Sequence, residues 1–303
     1  PFFDKFQGTG AEMSVARLSR HGRLCLAPAW SGSVTRLASG LWSQCPRRGF
    51  SAVSSPSALK LHVYDHCMFC SRARLVMGWL RIPYEQVTYG FGEGAKPEMC
   101  ATGHGYGPED GPVRLTGKKS LPVLEGSGVP APEGMRGMPE SLEICSYAVA
   151  VAKGDRRVAP ATNRADVAEW FKRCRSWGVQ LHRPRIVKMP VKDFADPRDV
   201  ACFAHHVKFP DGFDYEAVEA ATPELLKEID AVLLELEPML RGVTEEGIPC
   251  LNAWGFSMDD VSILCYMRNL TCVRGIYWPP KVRAYVERTC AEAGLSVYSQ
   301  YAC

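Results

Sequence analysis

The chain lacks an apolar run of the roughly 20 residues that a membrane-spanning helix needs, and stretches such as residues 147–152 fall far short. It also lacks a basic cluster interleaved with aromatic residues, the pattern that binds nucleic-acid strands. Residues 1–50 hold seven of the 36 basic and two of the 33 acidic residues, which leaves 29 basic against 31 acidic residues. We therefore expect a body with no membrane span and no nucleic-acid partner.

The 13 cysteines lack the tight, even spacing of a small secreted disulfide scaffold. Because they are odd in number and scattered, a reducing compartment fits them better. A length of 303 residues, with 46% hydrophobic residues, predicts two packed domains and additional segments.

Acidic residues are absent from residues 13–58, where arginine, serine, alanine and leucine are frequent. This composition predicts an organelle transit peptide, which we assign to residues 1–57. The sequence Arg48-Gly49-Phe50 resembles the arginine-directed cleavage pattern of mitochondrial presequences and predicts cleavage after Phe50. The expected location is the mitochondrial matrix; a plastid address and a plain basic tail are the alternatives.

Residues 58–152 predict a small α/β unit. Apolar Leu61 and Val63 alternate with polar neighbours, as in a strand, and a helical apolar face over residues 73–80 follows. Strands are predicted at residues 84–89 and 121–125, with a glycine-rich loop between them and a helix beginning at Ser141.

Residues 153–163 are polar and predict a linker, and residues 164–303 predict an all-helical domain. Helical spacing recurs at residues 165–181, 197–207, 223–240, 257–273 and 279–293. Ser257 and Asp260 have the spacing of a capping box at the start of the fourth of these helices.

Cys67 directly follows the first predicted strand and begins the first helix. Unpaired backbone N–H groups and the helix dipole favour a thiolate at such a position. Two intervening residues bring Cys70 into the first turn, where it can attack a mixed disulfide formed at Cys67. The pair therefore predicts a nucleophilic thiol and a resolving thiol, as catalytic residues of a redox site.

The alternative for a CxxC pair is half of a zinc site, which needs two more ligands. The chain offers Cys100 with His104, and Cys202 with His205 and His206. Neither set has convincing spacing, so no metal is expected. His66 beside Cys67 either stabilises the thiolate by its charge or merely ends the strand, and both interpretations stay open.

From Lys60 onward the sequence resembles the two-domain glutaredoxins shaped like glutathione transferases, the bacterial glutaredoxin 2 family. The ordered motifs are Tyr64-Asp65-His66-Cys67-x-x-Cys70 with Ala73-Arg74, Gly117-Lys118-Lys119-Ser120-Leu121-Pro122-Val123-Leu124, Met138-Pro139-Glu140-Ser141, Glu169-Trp170, Arg268-Asn269-Leu270-Thr271, and Gly275-Ile276-Tyr277-Trp278-Pro279 with Val282 and Tyr285.

The resemblance implies a thioredoxin-like N-terminal domain, an all-α C-terminal domain, and glutathione bound at their junction. Pro122 matches the family's cis-proline, which exposes the backbone of Leu121 to pair with glutathione. Glu140 matches a residue that meets the γ-glutamyl ammonium, and Ser141 matches one that meets the carboxylate. Without the cysteine pair, Pro122 would be explained as a strand edge, and Glu140 and Ser141 as a helix cap.

The chain departs from the family in two ways. Met68 and Phe69 replace the usual proline and tyrosine between the cysteines, which should alter the redox poise. Residues 91–116 and 126–137 are longer than the family's equivalents. Because no GxxxxGK[ST] motif is present, we expect the first of these to be a surface insertion.

Together these features predict a glutathione-dependent thiol-disulfide oxidoreductase that reduces glutathionylated or disulfide-bonded proteins, with glutathione reductase and NADPH regenerating the pool. The alternatives are a glutathione transferase acting on electrophiles, and a non-enzymatic transferase-like subunit or iron-sulfur scaffold. The CxxC pair favours the first, because conjugation needs no resolving thiol.

Overall fold

The computed structural model describes residues 59–92, 94, 96–206 and 214–303. The predicted leader and its cleavage position after Phe50 lie outside these residues, so both stay predictions. Among the helices of the described part, none is both long and apolar enough to cross a membrane.

A four-stranded mixed sheet forms the N-terminal part, with the strand order β2-β1-β3-β4. The strands are β1 (Lys60–Val63), β2 (Glu85–Thr88), β3 (Val123–Glu125) and β4 (Met138–Pro139). Strand β2 runs parallel to β1, whereas β3 and β4 each run antiparallel to their neighbour. The three predicted strands are confirmed; β4 was missed because two residues are too few to show an alternating pattern.

Three helices accompany the sheet: α1 (Met68–Trp79), α2 (Gly111–Thr116) and α3 (Ser141–Val151). Helices α1 and α3 pack against each other. Helix α2 lies where the sequence predicted only a loop. Its signals are short but present: the Asp110 side chain caps its first turn, and Gly117 ends it with φ +71°.

The C-terminal part contains α4 (Ala165–Ile186), α5 (Pro197–His206), α6 (Tyr215–Ala220), α7 (Thr222–Leu236), α8 (Met258–Leu270) and α9 (Pro280–Glu292). All five predicted helices are present, and α6 was missed. Helix α4 continues past the predicted end at residue 181 and includes Pro184 in its last turn.

The C-terminal domain is helical, as predicted, and it also contains one short hairpin that was not predicted. Strands β5 (Gly242–Val243) and β6 (Pro249–Cys250) form a short antiparallel hairpin between α7 and α8. Gly247 in its connection has φ +73°, a conformation that side chains disfavour. Two-residue strands give no readable sequence pattern, so the hairpin was not predicted.

The predicted capping box is confirmed at the start of α8. The Asp260 carboxylate accepts hydrogen bonds from the backbone N–H of Ser257 at 2.9 Å and from the Tyr285 hydroxyl at 3.0 Å. Asp260 is fully buried, and this cap therefore also ties α8 to α9.

Helix α1 meets the C-terminal part through very close backbone contact. A Cβ atom added to Gly78 would lie 1.9 Å from the carbonyl oxygen of Ala293, just beyond α9. Next to it, Trp79 stacks on Phe256 with ring centroids 4.2 Å apart. The helix that begins at Cys67 is thus fixed against the helical domain as well as against the sheet.

Candidate active site

Cys67 and Cys70 occupy the start of α1 as predicted. Cys67 is the N-cap residue, with extended backbone (φ −70°, ψ 122°), and Cys70 lies in the first turn. Cys67 is partly exposed, Cys70 is fully buried, and both are free thiols. Cys67 is therefore the more exposed residue of the pair.

The two thiols have opposite acidities. A hydrogen bond from the Cys70 thiol lowers the pKa of Cys67 to about 7, and the charge of His66 and nearby backbone N–H groups act in the same direction. Burial raises the pKa of Cys70 far above its ordinary value, although the Tyr64 N–H lies 3.4 Å from its sulfur. The thiolate therefore forms on Cys67 while Cys70 keeps its proton.

Strand pairing brings the other predicted site residues to the same end of the sheet. Because β3 runs antiparallel to β1, the Leu121–Pro122 peptide just before β3 lies beside the end of β1 that leads to Cys67. That peptide is cis, as expected. Because β4 runs antiparallel to β3, Glu140 just after β4 also falls at this end.

Glu140 and Ser141 form the start of α3. Glu140 is exposed and has φ +69°, a left-handed conformation that is uncommon for residues other than glycine and concentrates at functional sites. Ser141 is buried, and its hydroxyl accepts a hydrogen bond from the Arg72 guanidinium at 3.1 Å. Arg72, which sequence reasoning missed, therefore links α1 to the start of α3.

The backbone just before Cys67 is bound by side chains of the helical domain. Asp193, in a 3-10 turn before α5, accepts hydrogen bonds from the N–H groups of Asp65 at 2.8 Å and His66 at 2.7 Å. The Asn269 amide donates to the His66 carbonyl at 2.9 Å.

Two further groups donate to the Asp65 carbonyl oxygen: the Arg268 guanidinium at 2.8 Å and the Tyr298 hydroxyl at 2.9 Å. All four backbone polar groups of residues 65 and 66 thus have partners from the helical domain. This arrangement gives a role to the Arg268-Asn269 motif, which the sequence identified without explaining it.

The Asp65 side chain is part of the same network. Burial alone would raise its pKa, but the charges of Arg268 and Arg74 outweigh that effect and lower the pKa to about 2. Arg268 is 1% exposed and also contacts the Tyr298 ring, with 4.2 Å between guanidinium carbon and ring centroid. A charged cluster of a buried Arg268, a buried Arg74 and a partly buried Asp65 therefore lies where the two domains meet.

His66 is buried, and its Nδ1 lies 2.7 Å from the second carboxylate oxygen of Asp193. Its ring is packed among the aromatic side chains of Tyr64, Phe91, Phe194 and Phe203. The sequence left the role of His66 open, and the pairing with Asp193 is a contact between residues 127 positions apart that no local pattern indicates.

The insertion at residues 91–116 is only in part a surface loop. Met99 is exposed, but the Tyr106 hydroxyl lies 2.6 Å from that of Tyr64 and donates to the Gly90 carbonyl at 2.5 Å. The segment therefore packs against the strand end that leads to Cys67.

A cavity of about 340 Å³ separates the insertion from α5, and its lining includes Cys100, His104, Cys202 and His205, the residues weighed as metal ligands. Within the described part of the chain, however, no group of three or more His, Cys, Asp or Glu side chains is arranged to hold a metal ion.

Comparisons with known proteins agree with this geometry. Residues 166–302 match the family model for the glutaredoxin 2 C-terminal domain. Glutaredoxin 2 of Escherichia coli K12 is 27% identical over 248 residues, which is 80% of this chain and 100% of that protein.

The crystal structure of glutaredoxin 2 from Salmonella typhimurium in complex with glutathione is similar, with a TM-score of 0.66 and 25% identity over 82% of this chain and 100% of that one. The fold is therefore the glutathione-transferase-like one, with a thioredoxin-like N-terminal part and a helical C-terminal domain.

Proposed function

We propose that this chain, whose matches support a place in the glutaredoxin 2 family, is a glutathione-dependent thiol-disulfide oxidoreductase. The observation that carries the proposal is the pair of thiols at the start of α1, one partly exposed with a lowered pKa and one buried with a raised pKa. The similar glutaredoxin 2 from Salmonella typhimurium has a crystal structure in complex with glutathione, and we propose glutathione as the cofactor here.

In the proposed reaction the Cys67 thiolate attacks the glutathionyl sulfur of a mixed disulfide. The substrate S–S bond breaks, the substrate leaves as a thiolate that takes up a proton, and a Cys67–glutathione disulfide forms. A second glutathione thiolate then attacks this bond and releases glutathione disulfide. Alternatively, Cys70 attacks Cys67, which releases reduced glutathione and leaves a Cys67–Cys70 disulfide for two further glutathione molecules to reduce.

Four other residues are proposed to hold glutathione. The backbone of Leu121, before Pro122, pairs with the tripeptide, while Glu140 meets the γ-glutamyl ammonium. Ser141 and the N-terminal N–H groups of α3 meet the carboxylate. Their convergence at one end of the sheet, beside Cys67, supports these roles.

A glutathione transferase acting on electrophiles is the second candidate. The position of Cys70 speaks against it, because conjugation uses neither a resolving thiol nor a hydrogen bond from one. Glutathionylated and disulfide-bonded proteins are the proposed partners. The mitochondrial matrix is the proposed location, on the composition of residues 13–58.

The test is glutathione-dependent reduction of a small mixed disulfide. Cys67→Ser should abolish activity, whereas Cys70→Ser should keep the route through a second glutathione. The wild-type rate should rise with pH around 7, because the thiolate of Cys67 forms there. Cys303→Ser, at an exposed thiol, is the control and should match the wild type; equal activity in wild type and Cys67→Ser would refute the proposal.

A further inference from the structure

The loop before Cys67 is controlled from the opposite domain, and one residue does so with a charge. We infer that Asp193 is a positioning residue of the active site: it holds His66 and the two backbone N–H groups before Cys67, and thereby sets the nucleophilicity of Cys67. The inference deepens the proposed function, on which it rests for the identity of the nucleophile.

Asp193 is buried and contacts the loop before Cys67 through both of its carboxylate oxygens. Its side chain is completely buried, and one carboxylate oxygen accepts from Asp65 N–H while the other accepts from His66 N–H and faces His66 Nδ1. A buried carboxylate is costly unless such donors surround it. All of its donors lie within the two residues that precede Cys67.

Asp193 fixes the orientation of the His66 imidazole, because one of its carboxylate oxygens lies 2.7 Å from Nδ1 and also accepts a hydrogen bond from the backbone N–H of the same residue. The His66 ring, held in this position, acts to lower the pKa of Cys67, its neighbour in the chain. The effect therefore passes from Asp193 through His66 to the sulfur.

The other titratable groups that interact with this pair are uncharged near pH 7, because burial shifts the pKa of each. Burial raises the pKa values of Tyr64, Cys70, Tyr106 and Tyr298 well above their ordinary values, and it lowers the pKa of His182 to about 3. Asp193 contacts both the loop backbone and the His66 ring.

The experiment measures how the reactivity of the Cys67 thiol depends on pH. Iodoacetamide alkylation of Cys67 is followed against pH by mass spectrometry of the tryptic peptide 61–72, which contains both cysteines, in wild type and in Asp193→Asn. The substitution keeps the side-chain size and removes the charge. We expect the alkylation midpoint to rise by about one pH unit, so that the rate at pH 6 falls roughly tenfold.

Asp193→Glu, which restores the carboxylate, should return the midpoint toward the wild-type value. His66→Gln should raise the midpoint as Asp193→Asn does, and the double variant should show no further rise, because the two residues act in series. Tyr298→Phe is the matched control: it removes hydrogen bonds to the carbonyl oxygen and the carboxylate of Asp65 in the same loop, keeps the contact between Asp193 and His66, and should leave the midpoint unchanged.

A folded Asp193→Asn variant with the wild-type midpoint would overturn the inference, and so would an equal shift in Tyr298→Phe, since loop loosening would then explain both. If Asp193→Asn does not fold, His66→Gln decides, and an unchanged midpoint there refutes the inference. If the wild type showed no glutathione exchange but Asp193→Asn still shifted the alkylation midpoint, the result would count against the proposed function alone.

Discussion

Two segments flank Cys67, and they are built in opposite ways. The loop at residues 65 and 66 is bound through every backbone polar group by side chains of the helical domain. The start of α3, by contrast, presents Glu140 to solvent in a left-handed conformation. The closed side fixes the backbone before Cys67, the proposed nucleophile, and the open side is where a ligand is proposed to bind.

The difference indicates that the helical domain contributes to the proposed redox site. Arg268, Asn269 and Tyr298 all contact the loop before Cys67. In this arrangement a single domain with the same sheet and the same two cysteines would lack the groups that hold this loop.

On the closed side, loss of Arg268 should have the largest effect on stability. Arg268→Ala should lower the free energy of unfolding by about 3 kcal/mol or more, because it leaves buried polar groups of the interface without their partner. Urea unfolding measures this. Arg283→Ala, which removes an exposed pair with Glu287, is the control and should cost less than ~1 kcal/mol. Equal losses in the two variants would contradict a special role for the closed side.

A smaller loss is expected where α1 meets the helical domain. Gly78→Ala should gain up to ~1 kcal/mol from helix propensity, but the new Cβ would collide with the Ala293 carbonyl oxygen. Overpacking of this kind costs roughly 1–3 kcal/mol, so we expect a net decrease in stability, measured by thermal unfolding. Gly154→Ala, which has open space around it, should be nearly neutral. If Gly78→Ala instead stabilised the protein, the backbone around Ala293 would have moved to make room for the added Cβ.

A substitution at Glu140, on the open side, should raise stability rather than lower it. Glu140→Gly relieves the left-handed backbone and should raise stability by up to ~1 kcal/mol, while glutathione affinity falls because the carboxylate is lost. Urea unfolding and calorimetric titration with glutathione measure the two effects.

Glu143→Gly, in the first turn of α3, provides the matched control. It should lower stability by up to ~1 kcal/mol through helix propensity and leave glutathione affinity unchanged. If Glu140→Gly destabilises the protein or binds glutathione as the wild type does, then Glu140 is a structural cap after all.

Sequence periodicity predicted the elements that carry the site, because strand β1 and helix α1 are long enough to show it. The CxxC pair was recognisable because it lies between this strand and this helix. The cis peptide before Pro122 followed from the resemblance. Asp193 was not recognised, because its contacts with residues 65 and 66 join positions more than 120 residues apart.

The insertion was misjudged for a related reason. A glycine-rich composition indicates a loop but does not show that Tyr106 will reach the strand end beside Cys67. Long-range contacts of single side chains, which have no repeat, are the part of the site that only the folded structure shows.

The position of these partners along the chain also sets an order in time. Arg268 and Tyr298 are synthesised 203 and 233 residues after Asp65, whose carbonyl oxygen they bind. At roughly 5–20 residues per second, tens of seconds of translation separate the thiol from the groups that secure it. Cys67 therefore leaves the ribosome long before it acquires its finished surroundings, and the reactive thiol matures late even though it is made early.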